Sequence, residues 1–571
     1  MPSQKHIDYR TFIEKWFKKH GCEPDVAEQL ERYKEALLIL WEMDLEPARP
    51  VLERCYAPSP RGGRPWDPIV MLRCFLLALL VGQPSLNKWA KDLAASRVLR
   101  VLAGIEQDRE RMRKAGRAPE EIPVRPGVGT LYGFLHRLHD GPVRKTCEHV
   151  EQPSENERRR ASTPRKLKKK KRKKKQKAKQ SYCKGRSRRG QAGGKRDRGS
   201  ATDREQTRAD EELNTEALTE KLVEELKKAS ELPNPTDLLQ RLSEILFSVG
   251  VMESACRGLL GDVSNLVVSG DGSPLRTGAN RHGKPACDCP DDKRCDCPRF
   301  YSDPDAEWGW DSHRNQWFFG HHFYEVSCSQ SGHDLPLAIT IGPGNRSDYI
   351  GSLETLNRLY KNLKPLGWKI SVFIGDAGGH DAEPIYRYLM EHGTSPVIPL
   401  RFPAPPTHPQ RPDVKLSKRG VPLCKASAEM ASWGSAGAGR SMFICPVKAR
   451  RLDKCPLAPE NNPDWVCRPD LKWGPSVNIK HEDNPRLCPP IPRNSKQYKA
   501  YYKLRSGTER SNSVKKEKFS LEKARHRRKS FWLIRLHLIA LLQHGRAWVA
   551  QEDADALVDR LLGRQHQQVA A

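Results

Sequence analysis

Apolar residues along this chain repeat first at helical spacing, then in strand-like runs, with a polar tract between. From Asp25 to Asp44, Val26, Leu30, Tyr33, Leu37, Leu38 and Leu40 fall mostly at helical spacing, which predicts one amphipathic helix. Asp67-Pro68 supplies an N-cap and a first-turn proline for IVMLRCFLLALLVG, stopped by Gly82 and Pro84. Ser85 caps LNKWAKDLAAS, and Thr130 is the expected cap of LYGFLHRLHDG. Residues 1–141 therefore read as an all-helical N-terminal domain, serving either DNA binding or dimerisation.

Residues 142–212 break the pattern. The tract has no apolar periodicity and contains KLKKKKRKKKQKAK, which cannot bury enough surface to offset its ordering entropy. It is expected to be a disordered basic linker. Helical spacing returns in LTEKLVEELKKA and DLLQRLSEILFSVG, after which LVVSGD, WFFGHHFYEVSCS, PLAITIGPG and KISVFIGDAG read as four strands. A helix, SLETLNRLYKNL, precedes the last strand. Three strands, a helix and a further strand predict an α/β sheet of mixed direction over residues 213–403. Residues 404–495, rich in Pro and Cys with little periodicity, look like an insertion. Regular structure resumes over 496–571 with QYKAYYKLRSGTERSNSVKKEKF and RHRRKSFWLIRLHLIALLQHG.

Charge adds a partner to this outline. The chain has 571 residues and a formal net charge of +30, which favours a polyanion, nucleic acid before anionic membrane. Arg158 to Arg198 holds 22 basic residues and one acid, a net +21, so +9 of the total +30 lies elsewhere. Such a tract follows phosphates by counterion release without reading sequence, the alternative being a solvated spacer. The apolar stretches Ile69–Gly82 and Phe531–Leu542 are interrupted by charge and shorter than the ~20 residues a bilayer needs. With no signal peptide at the start, a cytoplasmic protein is expected, its sixteen cysteines reduced or metal-bound.

Candidate chemistry sits at three acids. Asp271 ends the apolar run NLVVSG and Asp376 ends ISVFIG, so two strand ends present carboxylates beside small residues that let phosphate and metal come close. Asp-Gly after a strand is also an ordinary turn. Tyr502, Arg505, Glu509 and Lys516 fall within an arc of about 60° on a continuous α-helix, although Gly507 argues that the helix begins only there.

These four residues carry a resemblance. YKLRSGTERSNSVKK resembles the Tyr-x2-Arg-x3-Glu-x6-Lys signature of DDE transposases of bacterial insertion sequences and matches it at all four positions. GRPWDPIVMLRCFLLALLVG with GTLYGFLHRL is similar to the helical N-terminal domain of that family. PLAITIGPGNRSD and IGDAGGHDAEPIYRYLMEHGTSPVIPLR are similar to its core. The resemblance implies a ribonuclease-H-like catalytic core with the first Asp on the first strand, the second on the fourth, and the Glu on a later helix. It implies two Mg²⁺ per site, replaceable by Mn²⁺, held by Asp271, Asp376 and Glu509, with Tyr502, Arg505 and Lys516 on DNA phosphates. It further implies cleavage at element ends, strand transfer into target DNA, a homodimer on DNA and a prokaryotic, nucleoid-associated location. The chain departs from the family pattern at His380, where a Tyr is frequent, and in its Lys-rich linker. Two rivals stand beside this reading: a nuclease of the same fold, and a catalytically inactive DNA-binding regulator.

Two cysteine groups remain. Cys287, Cys289, Cys295 and Cys297 in CDCPDDKRCDC form a short loop that four thiolates could close around Zn²⁺, a solvated loop being the alternative. Cys445, Cys455, Cys467 and Cys488 are spaced less regularly, and either bind metal or are buried reduced thiols.

Overall fold

The computed structural model describes residues 6–56, 65–141, 238–285, 299–550 except 438, and 552–564, together with 220, 221 and 224. The linker at 158–198 and the loop at Cys287–Cys297 lie outside the described residues, as does nearly all of LTEKLVEELKKA.

Among the described residues up to 141, all regular secondary structure is helical. Asp67 accepts a hydrogen bond from the Ile69 N–H and starts the helix Pro68–Leu80, and Ser85 accepts from Lys88 at the start of Leu86–Ala95. The sequence expectation for Asp25–Asp44 is corrected: Tyr33 leaves helical geometry and divides the segment into Pro24–Arg32 and Lys34–Glu42. Thr130 is not a cap either, because the helix Val128–Asp140 begins two residues earlier.

The sheet follows the apolar runs. Its strands are β1 (Leu266–Arg276), β4 (Glu307–Asp311), β5 (Gln316–Cys328), β6 (Pro336–Pro343), β7 (Ile370–Ile374) and β8 (Ser395–Val397). A short pair, β2 (Lys284–Pro285) and β3 (Arg299–Phe300), stands apart. The main order is β4-β5-β1-β7-β8, with β6 also paired to β5. β5 runs antiparallel to β1, β4 and β6, whereas β7 is parallel to β1 and β8 parallel to β7. A mixed sheet with the helix Asp348–Leu363 between β6 and β7 is thus present, as the run of three strands, helix and strand predicts.

Helices cover both faces. Val267, Ser269 and Asp271 share one face, over which Lys496–Tyr502 and Ser506–Glu517 pack through Tyr498 and Thr508. On the other face the helix Asp348–Leu363 approaches so closely that a Cβ at Gly351 would lie 2.9 Å from the Tyr324 Cβ. The helix Lys529–Trp548 is buried nearly all round, Arg535, His537, Gln543 and His544 included, because it joins the N-terminal helices to the sheet in one continuous core. No helix among the described residues is long and apolar enough to cross a membrane.

The 404–495 region has more order than its sequence pattern suggests. It contains β9 (Thr407–His408) paired with β10 (Arg411–Lys415), and a three-stranded antiparallel sheet of β11 (Ala431–Ser435), β12 (Arg440–Ile444) and β13 (Ser476–Lys480). Val414, Leu416, Val421, Met430, Phe443, Ile479, Leu487 and Cys488 form its own small core. Arg486, in a two-pronged pair with Asp381 at 2.9 Å for each contact, ties it to the segment between the turn Ala377–His380 and the helix Glu383–Glu391.

Candidate active site

Asp271 is not at a strand end. β1 continues to Arg276, but β7 stops pairing with it at Ser269↔Ile374, so Asp271 emerges where one neighbour has ended while the other, at Glu325, continues. The glycines on either side are required by close approach. A Cβ at Gly270 would lie 2.1 Å from the Tyr324 hydroxyl, and one at Gly272 would lie 2.0 Å from an Asp348 carboxylate oxygen.

Around Asp271 stand three more acids. Burial first, then the charges of Asp348, Asp376 and Glu509, push its carboxyl up to about 7, against the opposing effect of His380. Asp376 follows β7 and caps the short turn Ala377–His380, accepting from the Gly379 N–H at 2.9 Å and from His380 Nδ1 at 2.7 Å. Burial works against its ionisation, but His380, Gly379 and Arg505 outweigh it and bring Asp376 down to about 2. His380 also places Nε2 2.5 Å from the Tyr324 hydroxyl, so this histidine fixes Asp376 to β5.

Glu509 comes from the helix Ser506–Glu517 and pairs with Arg505 at 2.8 Å. A 3₁₀ turn at Lys503–Arg505 separates this helix from Lys496–Tyr502, so the expectation of one continuous helical face is corrected. Tyr502 and Arg505 still adjoin, the guanidinium lying 6.0 Å from the ring centre. Lys516 turns elsewhere, toward Glu522 at 3.9 Å.

What holds the glutamate helix down is its neighbour, Lys515. Fully buried, its ammonium reaches both Glu325 carboxylate oxygens, at 2.7 and 2.6 Å, and Ser511 donates to Glu325 at 2.6 Å. Burial lowers the Lys515 pKa despite that partner. Since Glu325 is the register partner of Asp271, this ion pair fixes the helix opposite the acid. Asn512, one turn after Glu509, donates to Asp271 Oδ2 at 3.3 Å.

Sequence reasoning missed Asp348, Asn512, Glu325 and Lys515. Asp348 carried a signal, because Ser347 before it caps a helix. Asn512 carried one in its position three residues after Glu509. Glu325 and Lys515 read as one alternating-strand residue and one of many lysines, and only their packing distinguishes them.

Four carboxylates with a suppressed ionisation among them have the donor chemistry and the unmet charge that a hard divalent cation satisfies. As the side chains stand, no group of three or more His, Cys, Asp or Glu among the described residues is arranged to hold a metal ion. Glu509 would have to leave Arg505 to join Asp271. No family model, no curated protein and no solved structure matches the chain.

Proposed function

We propose that this chain is a DDE transposase that cleaves DNA at the ends of a mobile element and joins them to target DNA. One observation carries the reading. Asp271 on the first long strand, Asp376 directly after the parallel neighbour of that strand, and Glu509 on a helix over the same face are close enough to perturb one carboxyl together. The strand order supports a ribonuclease-H-like core: counting β1, β5, β6, β7 and β8 as first to fifth, it runs third-second-first-fourth-fifth. Asp376 then follows the fourth strand, as the resemblance implies, and the helices of residues 1–141 take the place of the family's N-terminal domain.

Asp271, Asp376 and Glu509 would hold Mg²⁺. The bound ions would neutralise charge on the attacking and leaving oxygens of an in-line displacement at phosphorus. The protein's own residues do the positioning. Asn512 orients the Asp271 carboxylate, and His380 orients that of Asp376. Arg505 sits between Asp376 and Glu509, where it can pass from carboxylate to DNA phosphate, and Tyr502 supports it.

The test uses DNA cloned from either side of the gene, incubated with the full-length protein and Mg²⁺. Free 3′ hydroxyls at defined ends, followed by covalent joining to a second DNA, are expected. Cleavage without joining would make the chain a nuclease of this fold. Binding without cleavage would make it a regulator.

A further inference from the structure

The helix Lys529–Trp548 begins without the groups that balance the positive end of a helix. No side chain caps it and its first turn holds no acid, whereas Arg527, Arg528 and Lys529 stand there instead. The N–H groups and aligned dipoles of a helix start favour an anion, so cations in that place leave the positive field unmet. Arg527, Arg528 and Phe531 line a cavity of about 550 Å³, a size within the roughly 300–1,000 Å³ of small-molecule sites. The cavity lies in the seam between the helices Pro68–Leu80 and Val128–Asp140 on one side and Lys529–Trp548 on the other.

Its walls are apolar on one side and cationic on the other. Phe75, Leu79, Leu135, Ile534 and Leu538 form the first, and Lys523, Arg525, Arg527, Arg528 and Arg535 the second, with no acid in the lining among the described residues. Arg535 is only 7% exposed. Its Nη2 donates to the Phe519 carbonyl at 2.9 Å, but its buried Nε has no partner. Burial lowers its pKa to about 10 and no carboxylate opposes that, although a buried guanidinium is ordinarily paired. Tyr132, 41% exposed, and Phe531 add aromatic surface to the lining. The cavity also adjoins the proposed carboxylate site through the backbone. The Gly278 N–H, just past β1, donates to the His526 carbonyl at 2.8 Å, and the Phe519 held by Arg535 comes two residues after the helix Ser506–Glu517.

We propose that this cavity binds one nucleotide, with its phosphate on Arg527, Arg528 and Arg535 and its base against Tyr132 and Phe531. A phosphate supplies the anion that the helix start and the unpaired guanidinium lack. A flat base covers the aromatic and apolar walls, as bases of single strands do on aromatic side chains. Inorganic phosphate alone would leave those walls wet, and an alkyl anion would leave most of the cations unmatched. The nucleotide belongs either to a DNA strand or to the free pool; the first source rests on the function proposed above, and the second does not.

The test takes full-length protein in EDTA, where no strand is cut, so its outcome is separate from that of the cleavage assay. An azido derivative of dAMP is crosslinked by light and mapped by mass spectrometry, and dAMP, deoxyadenosine and inorganic phosphate are titrated by calorimetry. Crosslinks to Tyr132 or Phe531 are expected, with dAMP bound about tenfold or more tightly than deoxyadenosine or phosphate. Tyr132→Ala and the double variant Arg527→Glu, Arg528→Glu, all at exposed positions, should each weaken dAMP by about tenfold or more. A deoxyadenylate strand of about five nucleotides that displaces the crosslink at lower concentration than dAMP identifies a DNA strand as the source, and one that does not identifies the free nucleotide. Crosslinks confined to other parts of the chain would overturn the proposal, as would dAMP binding unchanged in both variants, or decyl phosphate binding more tightly than dAMP. The crosslinking arm needs no substitution, so misfolding of a variant would not protect the proposal.

Discussion

Replacing Asp271 by Asn should stabilise the metal-free protein at alkaline pH and leave it unchanged in mild acid. The Asp271 carboxyl is pushed from an ordinary 3.8 up to about 7 in the folded chain. Its folded pKa therefore exceeds its unfolded one, so the fold holds the proton more tightly and ionisation opposes folding. The penalty is absent below about pH 4, grows between pH 4 and 7, and is complete above 7. At about 1.4 kcal/mol per unit the full shift is worth about 4 kcal/mol, reduced to about 2–4 because the side chain keeps some contact with solvent. Asn has the same shape, can still accept from Asn512 and never ionises. Urea unfolding of both proteins in EDTA should show Asp271→Asn more stable by that amount at pH 8.5 and equal at pH 4. Adding Mg²⁺ at pH 8.5 should raise the wild type and leave the variant in place. An equal difference at both pH values would refute the electrostatic argument, because a packing effect carries no pH dependence.

Lys515→Met should destabilise the fold by about 3–5 kcal/mol, since it leaves the Glu325 carboxylate buried without its cation, and Glu325→Leu added to it should recover much of the loss in a denaturation series. Gly272→Ala should cost about 1–3 kcal/mol by forcing the Asp348 carboxylate and His322 away from β1, read as a lowered thermal midpoint. His380→Ala should raise the Asp376 pKa from about 2 toward its ordinary value, so that Mg²⁺ affinity weakens at a higher pH on the acid side than in the wild type. Calorimetric titration across pH 4–7 checks this; an unmoved acid limb would remove His380 from the site. Deleting residues 158–198 should flatten the salt dependence of binding to nonspecific duplex DNA, because fewer counterions are released.

β1, β6 and β7 were legible as apolar runs and β5 as an aromatic-rich stretch, whereas β4 and β8, both short, were not read as strands; Asp376 was legible because its run stops at the acid. Asp271 was placed at a strand end for the same reason. That failed because β1 keeps its partner β5 after losing β7, and pairing with a distant segment leaves no local mark. Asp67 and Ser85 were readable as caps since their hydrogen bonds are local. Tyr33, which breaks a helix with good periodicity, and Lys515, one lysine of an adjacent pair, depend on what packs against them. In the insertion, short strands with mixed burial such as β11 give neither a period of two nor an apolar run.

The account's central claim is that Asp271, Asp376 and Glu509 act as one unit, and cleavage of element-end DNA by single amide variants tests it most directly. Asp271→Asn, Asp376→Asn and Glu509→Gln should each lose cleavage and joining by orders of magnitude with DNA binding nearly intact, and any two together should cost little more than one. Glu517→Gln should cleave normally; Glu517 lies on the same helix and accepts from Ser513 at 2.8 Å. Wild-type cleavage by Glu509→Gln, with loss in Glu517→Gln, would contradict the claim.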